Sequence, residues 1–325
     1  MKQKKLILTV FIFLCVVLVV DATAYFHRAS PRTAVSYSSS NLAIDKARYK
    51  ALLNILGPQK TYAMFKKDFA NKPRLSHQAM HFMGDLLYDY YLQKGMALEG
   101  LTTCDSTFDY GCYHQYIARL LLDHGLSVLN AVDKICIEKN ALDCGHGIGH
   151  GLIEFLGPAR LADALKACKT LSGRDISTCS SGAFMDYNIP LAIGPNLQVV
   201  PRTLDKNNPV SPCDKSFIPI DFRAECYFQL PHWWFQFADV SPRQIGQWCL
   251  LAPQIYQEKC FLGMGVDLPG RESYNVQKIL SDCKTMPYEN ASNWCLSSCA
   301  DSIRANTNSC AIYPKLGLDI SLCKN

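Results

Sequence analysis

The chain has 325 residues, enough for one to three domains, and its 49% hydrophobic content excludes global disorder. Its 33 Lys+Arg against 28 Asp+Glu give a net charge of +5, which becomes +3 once residues 1–24 are set aside. So small a balance gives no electrostatic case for nucleic-acid binding. The sixteen cysteines are the strongest compositional signal.

The N-terminus reads Met1-Lys2-Gln3-Lys4-Lys5 and then runs apolar from Leu6 to Val20. This is a secretory signal pattern, too short for an ordinary membrane span of about 20 residues. Ala22-Thr23-Ala24 offers a cleavage site, although Asp21 beside it is awkward. Residues 1–24 are therefore expected to be a cleaved signal peptide or a retained signal anchor, with residues 6–20 the sole membrane contact if uncleaved. In either case the bulk of the chain is expected to be exported, secreted or anchored by a single N-terminal segment. Cysteines in such a compartment oxidise to disulfides.

Residues 25–41 are Ser-rich and read as a linker, and residues 42–325 as one helical-repeat domain. Asn41 can cap a helix ending at Leu56, before Gly57-Pro58; Pro58 can open another to about Ala70, and Ser76 a third to Lys94. Cysteine-bearing units follow. From Cys112 a helix runs through Leu121 and stops at Gly125, and a second runs from Leu126 to Cys136. The next unit runs from Cys144 to Gly157-Pro158, with a partner helix from Ala159 to Cys168. Residues 188–212 carry five prolines and form an insertion, either a functional lid or a passive surface excursion.

The cysteines fall into neighbouring pairs: Cys104/Cys112, Cys136/Cys144, Cys168/Cys179, Cys213/Cys226, Cys249/Cys260, Cys283/Cys295 and Cys310/Cys323. Cys15 and Cys299 are left over. From Cys112 to Cys295 the second members advance by 32, 35, 47, 34 and 35 residues, a period near the 34 of helix-turn-helix repeats. The unit is helix A, tight turn, helix B, short loop, with a disulfide from the end of B to the start of the next A. The predicted fold is all-α: an α-solenoid of about seven helical hairpins stapled by disulfides between neighbouring repeats. Over roughly residues 100–323 this arrangement resembles the cysteine-rich Sel1-like, or TPR-like, repeat proteins. Cys104/Cys112 and Cys136/Cys144, with seven residues between partners, match their junctions best. The resemblance implies a protein-binding scaffold and carries over no functional residue.

Histidine placement points to chemistry. His77, His81 and Asp85 are spaced i, i+4, i+8, and so are His146, His150 and Glu154. On a helix that spacing keeps three side chains on one face. Imidazole and carboxylate suit zinc or iron, with manganese or copper as alternatives. The cysteine frame puts His114 and His146 two residues past the cysteine of helix A, and His150 and His232 six past it. If Leu75 takes the cysteine place in the first unit, His77 and His81 hold the same two positions. Equivalent A-helix positions line one continuous, concave surface in a solenoid. The expected metal ligands are His77, His81, Asp85, His114, His146, His150 and Glu154, with His114 able to bridge the two triplets. His27 and His124 fall outside this frame and read as surface residues. The plainer account is interior histidines bonded to backbone or carboxylates. Gly145, Gly147, Gly149 and Gly151 flank His146 and His150, at a cost to a helix of roughly 3–4 kcal/mol against alanine. They imply close approach by another backbone or a ligand.

The aromatic run from Tyr227 to Phe237 reads as a ligand groove or as repeat core with one Trp exposed. Asn290-Ala291-Ser292 is a glycosylation sequon. No Ser-His-Asp order, phosphate loop or dinucleotide fingerprint is present. Three functions fit: an exported metalloprotein, whose enzymatic form would be a metal-dependent hydrolase or oxygenase; a scaffold binding a protein or peptide on the concave face; or a metal-sequestering protein. The sequence does not decide whether the chain is an enzyme.

Overall fold

The computed structural model describes residues 39–70, 73–108, 110–138, 144–172, 176–189, 202–238, 240–307 and 309–323. Residues 1–38, with the expected signal or anchor, Cys15 and His27, lie outside them, as do residues 190–201 of the Pro-rich insertion. The chain divides into two compact units, residues 1–45 and 46–325. The described part of the first is the opening of helix α1 (Ser39–Leu56). Among the described residues, every regular element is helical. None of these helices is long and apolar enough to cross a membrane.

The second unit is the repeat array. After α2 (Pro58–Phe69), the A helices are α3 (Pro73–Leu92), α4 (Gly111–His124), α6 (Cys144–Leu156), α8 (Ile176–Asn188), α9 (Ile220–Phe237), α11 (Gln254–Arg271) and α13 (Glu289–Thr307). Each packs on the next A helix in this order. The B helices α5 (Leu129–Glu138), α7 (Leu161–Cys168), α10 (Pro242–Cys249) and α12 (Val276–Cys283) are shorter and lie against adjoining A helices. The short α14 (Ile312–Lys315) follows α13. Between α8 and α9 no B helix forms among the described residues; a run of turns through Cys213 takes its place.

Local chemistry explains the hairpins. Gly125 and Gly157 adopt φ +64 and +84, so each ends an A helix in a conformation that a side chain would strain. Asn275 accepts from the backbone of Gln277 and Lys278, and Ser241 from that of Gln244, which caps α12 and α10.

All seven expected disulfides form: Cys104–Cys112, Cys136–Cys144, Cys168–Cys179, Cys213–Cys226, Cys249–Cys260, Cys283–Cys295 and Cys310–Cys323. The first six tie the segment before an A helix to its first two turns. Such bonds belong to an oxidising, extracytoplasmic environment. Closing loops of this length contributes about 2.5–3 kcal/mol each through the unfolded state. Among the described residues Cys299 is the free thiol; it is buried, its Sγ 3.8 Å from that of Cys283.

Several local expectations change: Asn41 and Ser76 lie inside α1 and α3 rather than capping them, and the partner helix expected from Ala159 begins at Leu161 after a 3-10 turn. The second helix of the Cys112 unit begins at Leu129, because Gly125–Val128 forms a 3-10 turn first. In the aromatic run both Trp233 and Trp234 are buried, at 1% and 0% exposure, and Phe237 is the ring that reaches solvent. Most of the run is repeat core, with Arg202 stacked 3.7 Å from the Trp233 ring centre.

Candidate metal centre

Helices α3, α4 and α6 are consecutive in the stack, and each turns histidines toward the same place. His77 and His81 come from α3, His114 from α4, and His146 and His150 from α6. The His114 ring centre lies 5.3 Å from His77, 5.3 Å from His81, 5.2 Å from His146 and 4.5 Å from His150. All five expected histidines therefore form one cluster with His114 in the middle. Their nitrogens make two triads, His77/His81/His114 and His114/His146/His150, each with its three atoms within 4.8 Å of one another.

The glycines permit this convergence. A Cβ on Gly147 would meet the Tyr113 backbone at 3.1 Å, and one on Gly151 would meet Ala118 at 3.1 Å, so α6 packs closely on α4. On the other side, a Cβ on Gly149 would stand 2.0 Å from the Cys179 carbonyl, and one on Gly182 2.0 Å from that of His146. The close approach implied by the glycines is thus helix against helix, and it holds the rings of neighbouring A helices together.

Hydrogen bonds fix the tautomers. His77 Nδ1 lies 2.9 Å from the Phe108 carbonyl, which can only accept, so Nδ1 carries the proton and Nε2 a lone pair. His150 repeats the arrangement: its Nδ1 lies 3.3 Å from Asp186 Oδ1 on α8. In both pairs the Nε2 atoms face each other, at 3.0 Å for His77–His81 and 3.1 Å for His146–His150. Two nitrogens bound to one ion at about 2.1 Å, subtending 90–110°, lie about 3.0–3.4 Å apart. An oxygen acceptor behind a histidine is the usual outer support of a metal-bound imidazole.

His114 differs from the other four. It is 3% exposed, and neither Nδ1 nor Nε2 has a hydrogen-bond partner. Two unsatisfied polar atoms in a packed interior cost about 1–3 kcal/mol each. His150 is 1% exposed, whereas His77, His81 and His146 keep partial exposure at the edge of the cluster.

Burial keeps His81, His114, His146 and His150 neutral. It pushes His81 down to about 3, helped by His77 and opposed by a hydrogen bond that the ring donates to Gln115. Burial, with His77 and His232 adding, pushes His146 down to about 4. His114 and His150 are held well below the ordinary histidine range by burial and by their neighbours. Neutral imidazole is the ligating form, so the cluster is ready for a cation at neutral pH.

The two expected carboxylates are not brought among the clustered nitrogens. Asp85 is held by Lys46, 2.6 Å away, and by Arg119, which also reaches Asp89 at 3.0 Å. Glu154 is partly buried with one carboxylate oxygen unpartnered, and desolvation raises it to about 7. The carboxylate that does reach the cluster is Asp186, which the sequence reading missed. It comes from the next A helix, not from the i+8 position of the histidines' own helices. His232 sits two A helices further on, its Nδ1 2.6 Å from Asp267 Oδ1. It lines a cavity of about 280 Å³ with Phe235, Gln236, Asp267 and Arg271. Burial opposes charge on His232, but Asp267 outweighs it and raises its affinity for a proton. His124 is exposed, as expected.

No protein-family model, curated protein or solved structure matches this chain. The likeness to Sel1-like repeats therefore stands as one of arrangement, in an all-helical, disulfide-stapled array.

Proposed function

We propose that this chain is an extracytoplasmic metalloprotein whose five-histidine cluster holds a transition-metal cofactor. The observation that carries this reading is His114. The two flanking pairs can each close on themselves through one N–H···N hydrogen bond, but that leaves both His114 nitrogens buried and unpaired. A cation among the rings would take the lone pair of His114 together with those of a flanking pair.

The donor set is rich in imidazole, which suits zinc, iron or copper better than manganese or magnesium. Three nitrogens around an ion leave an open position, the arrangement of catalytic rather than structural zinc. An ion so held would lower the pKa of a bound water, or bind dioxygen if redox-active, so a hydrolase or an oxygenase is the enzymatic form of the proposal. Buried, pre-oriented ligands favour retention over the exchangeable binding of a sequestering protein. The scaffold reading keeps one support: the paired imidazoles and the Asp186 contact are also a plausible structural hydrogen-bond network.

Elemental analysis of the full-length oxidised protein, purified without a histidine tag, tests the proposal. We expect near-stoichiometric zinc, iron or copper, lost from a His146→Ala/His150→Ala variant that retains its disulfides. Protein that stays metal-free after refilling with zinc, iron, copper and manganese would sink it and leave the scaffold reading.

A further inference from the structure

The cluster is two half-sites joined by one ring. His77 and His81 approach from α3, and His146 and His150 from α6. The helix between them, α4, contributes His114 alone. The five histidines form two triads, and His114 is the member common to both. A neutral imidazole has one lone pair and one N–H, so a single ion would engage one His114 nitrogen and leave the other as a buried donor. The structure offers that donor no acceptor: both nitrogens lack a hydrogen-bond partner, in a residue that is 3% exposed.

We propose that His114 bridges two metal ions, one held with His77 and His81 and the other with His146 and His150. Each ion then has three nitrogen ligands and an open position. Bonds of about 2.0–2.1 Å on both sides of the ring place the ions about 6 Å apart. The first ion takes the lone pair of His114. The second replaces the remaining N–H proton, which leaves to solvent, and His114 becomes an imidazolate shared by both. No electron transfer is involved. The outer supports repeat on both sides: the Phe108 carbonyl orients His77, and Asp186 orients His150. Ions that bind imidazole nitrogen strongly and tolerate three-nitrogen coordination, zinc and copper, are the class expected.

This inference rests on the metalloprotein reading, and the test separates the two. Metal-depleted full-length protein is titrated with Cu(II), following bound copper per chain, protons released and the paramagnetic resonance signal. Two equivalents are expected, with about one more proton released for the second ion than for the first. Binding of the second ion should reduce the signal to well under half of that for two isolated ions, because the imidazolate couples their spins. His81→Ala, which removes a ligand from one half-site only, should bind one copper with an undiminished signal. His114→Ala should lose the coupling; if it fails to fold, His81→Ala and the wild-type stoichiometry still decide. One copper per chain, or two with additive signals, would overturn the bridge and leave the metalloprotein reading intact. No copper bound would overturn the bridge, and would overturn the metalloprotein reading as well if zinc, iron and manganese are not retained either.

Discussion

At the scale of single residues, the centre depends on which nitrogen each histidine presents. Asp186 fixes His150 through Nδ1, so Nε2 points inward. Asp186→Asn can present its amide to Nδ1 and reverse the tautomer, and metal affinity should fall about 10–100-fold. Competition with a chromophoric chelator reads this out; unchanged affinity would show that Asp186 does not orient His150. The metal-free protein also has a defined pH response. His81 and His146 are depressed to about 3 and about 4, so the unfolded chain binds more protons than the folded one below about pH 6.5. Their contribution is complete above that pH. It is lost as pH falls toward 4, at up to about 1.4 kcal/mol per pH unit for each histidine. Denaturant midpoints from pH 7 to pH 4 should fall accordingly in the metal-free protein. Midpoints that hold steady or rise on acidification would contradict the buried, neutral cluster.

At the scale of elements, each of the first six disulfides anchors the N-terminal part of an A helix. Cys144 opens α6, and His146 follows two residues later on its first turn. Replacing Cys136 and Cys144 together by serine should cost about 2–3 kcal/mol. Because the bond also pins the start of the helix that carries His146 and His150, metal content should drop in still-folded protein. Replacing Cys310 and Cys323, far along the chain, should cost similar stability and leave metal content unchanged. Equal metal loss in both variants would show that the staples act only through global stability. The two helical levels of the sequence differ in how clearly they could be read. Gly125, Gly157 and the cysteine pairs mark ends chemically, so the A helices and all seven bonds were legible. The start of α5 was not, because the 3-10 turn at Gly125–Val128 uses ordinary residues.

At the scale of the whole repeat array, the legible part of the site was whatever the repeat copies. The cysteine frame placed His77, His81, His114, His146 and His150 on equivalent positions of successive A helices, and the stacking brought all five together. Asp85 and Glu154 were chosen by spacing along a single helix. That spacing shows a shared face but not what a neighbouring helix sets against it. Arg119 on α4 and Lys46 on α1 take up Asp85. Asp186 became visible only once α8 was packed on α6, at a separation of 36 residues from His150.

The spacing of the disulfides has a consequence for biogenesis. Every bonded partner lies 8 to 13 residues from its mate. A chain delivered N-terminus first exposes each pair together, before the cysteines of the next repeat arrive. Oxidation can then proceed in step with delivery, one hairpin at a time, as suits an array built from local contacts. The one place where this order is open to error is the last full repeat. There Cys299 emerges four residues behind Cys295 and offers Cys283 a second suitor, so any need for a disulfide isomerase should concentrate at that junction.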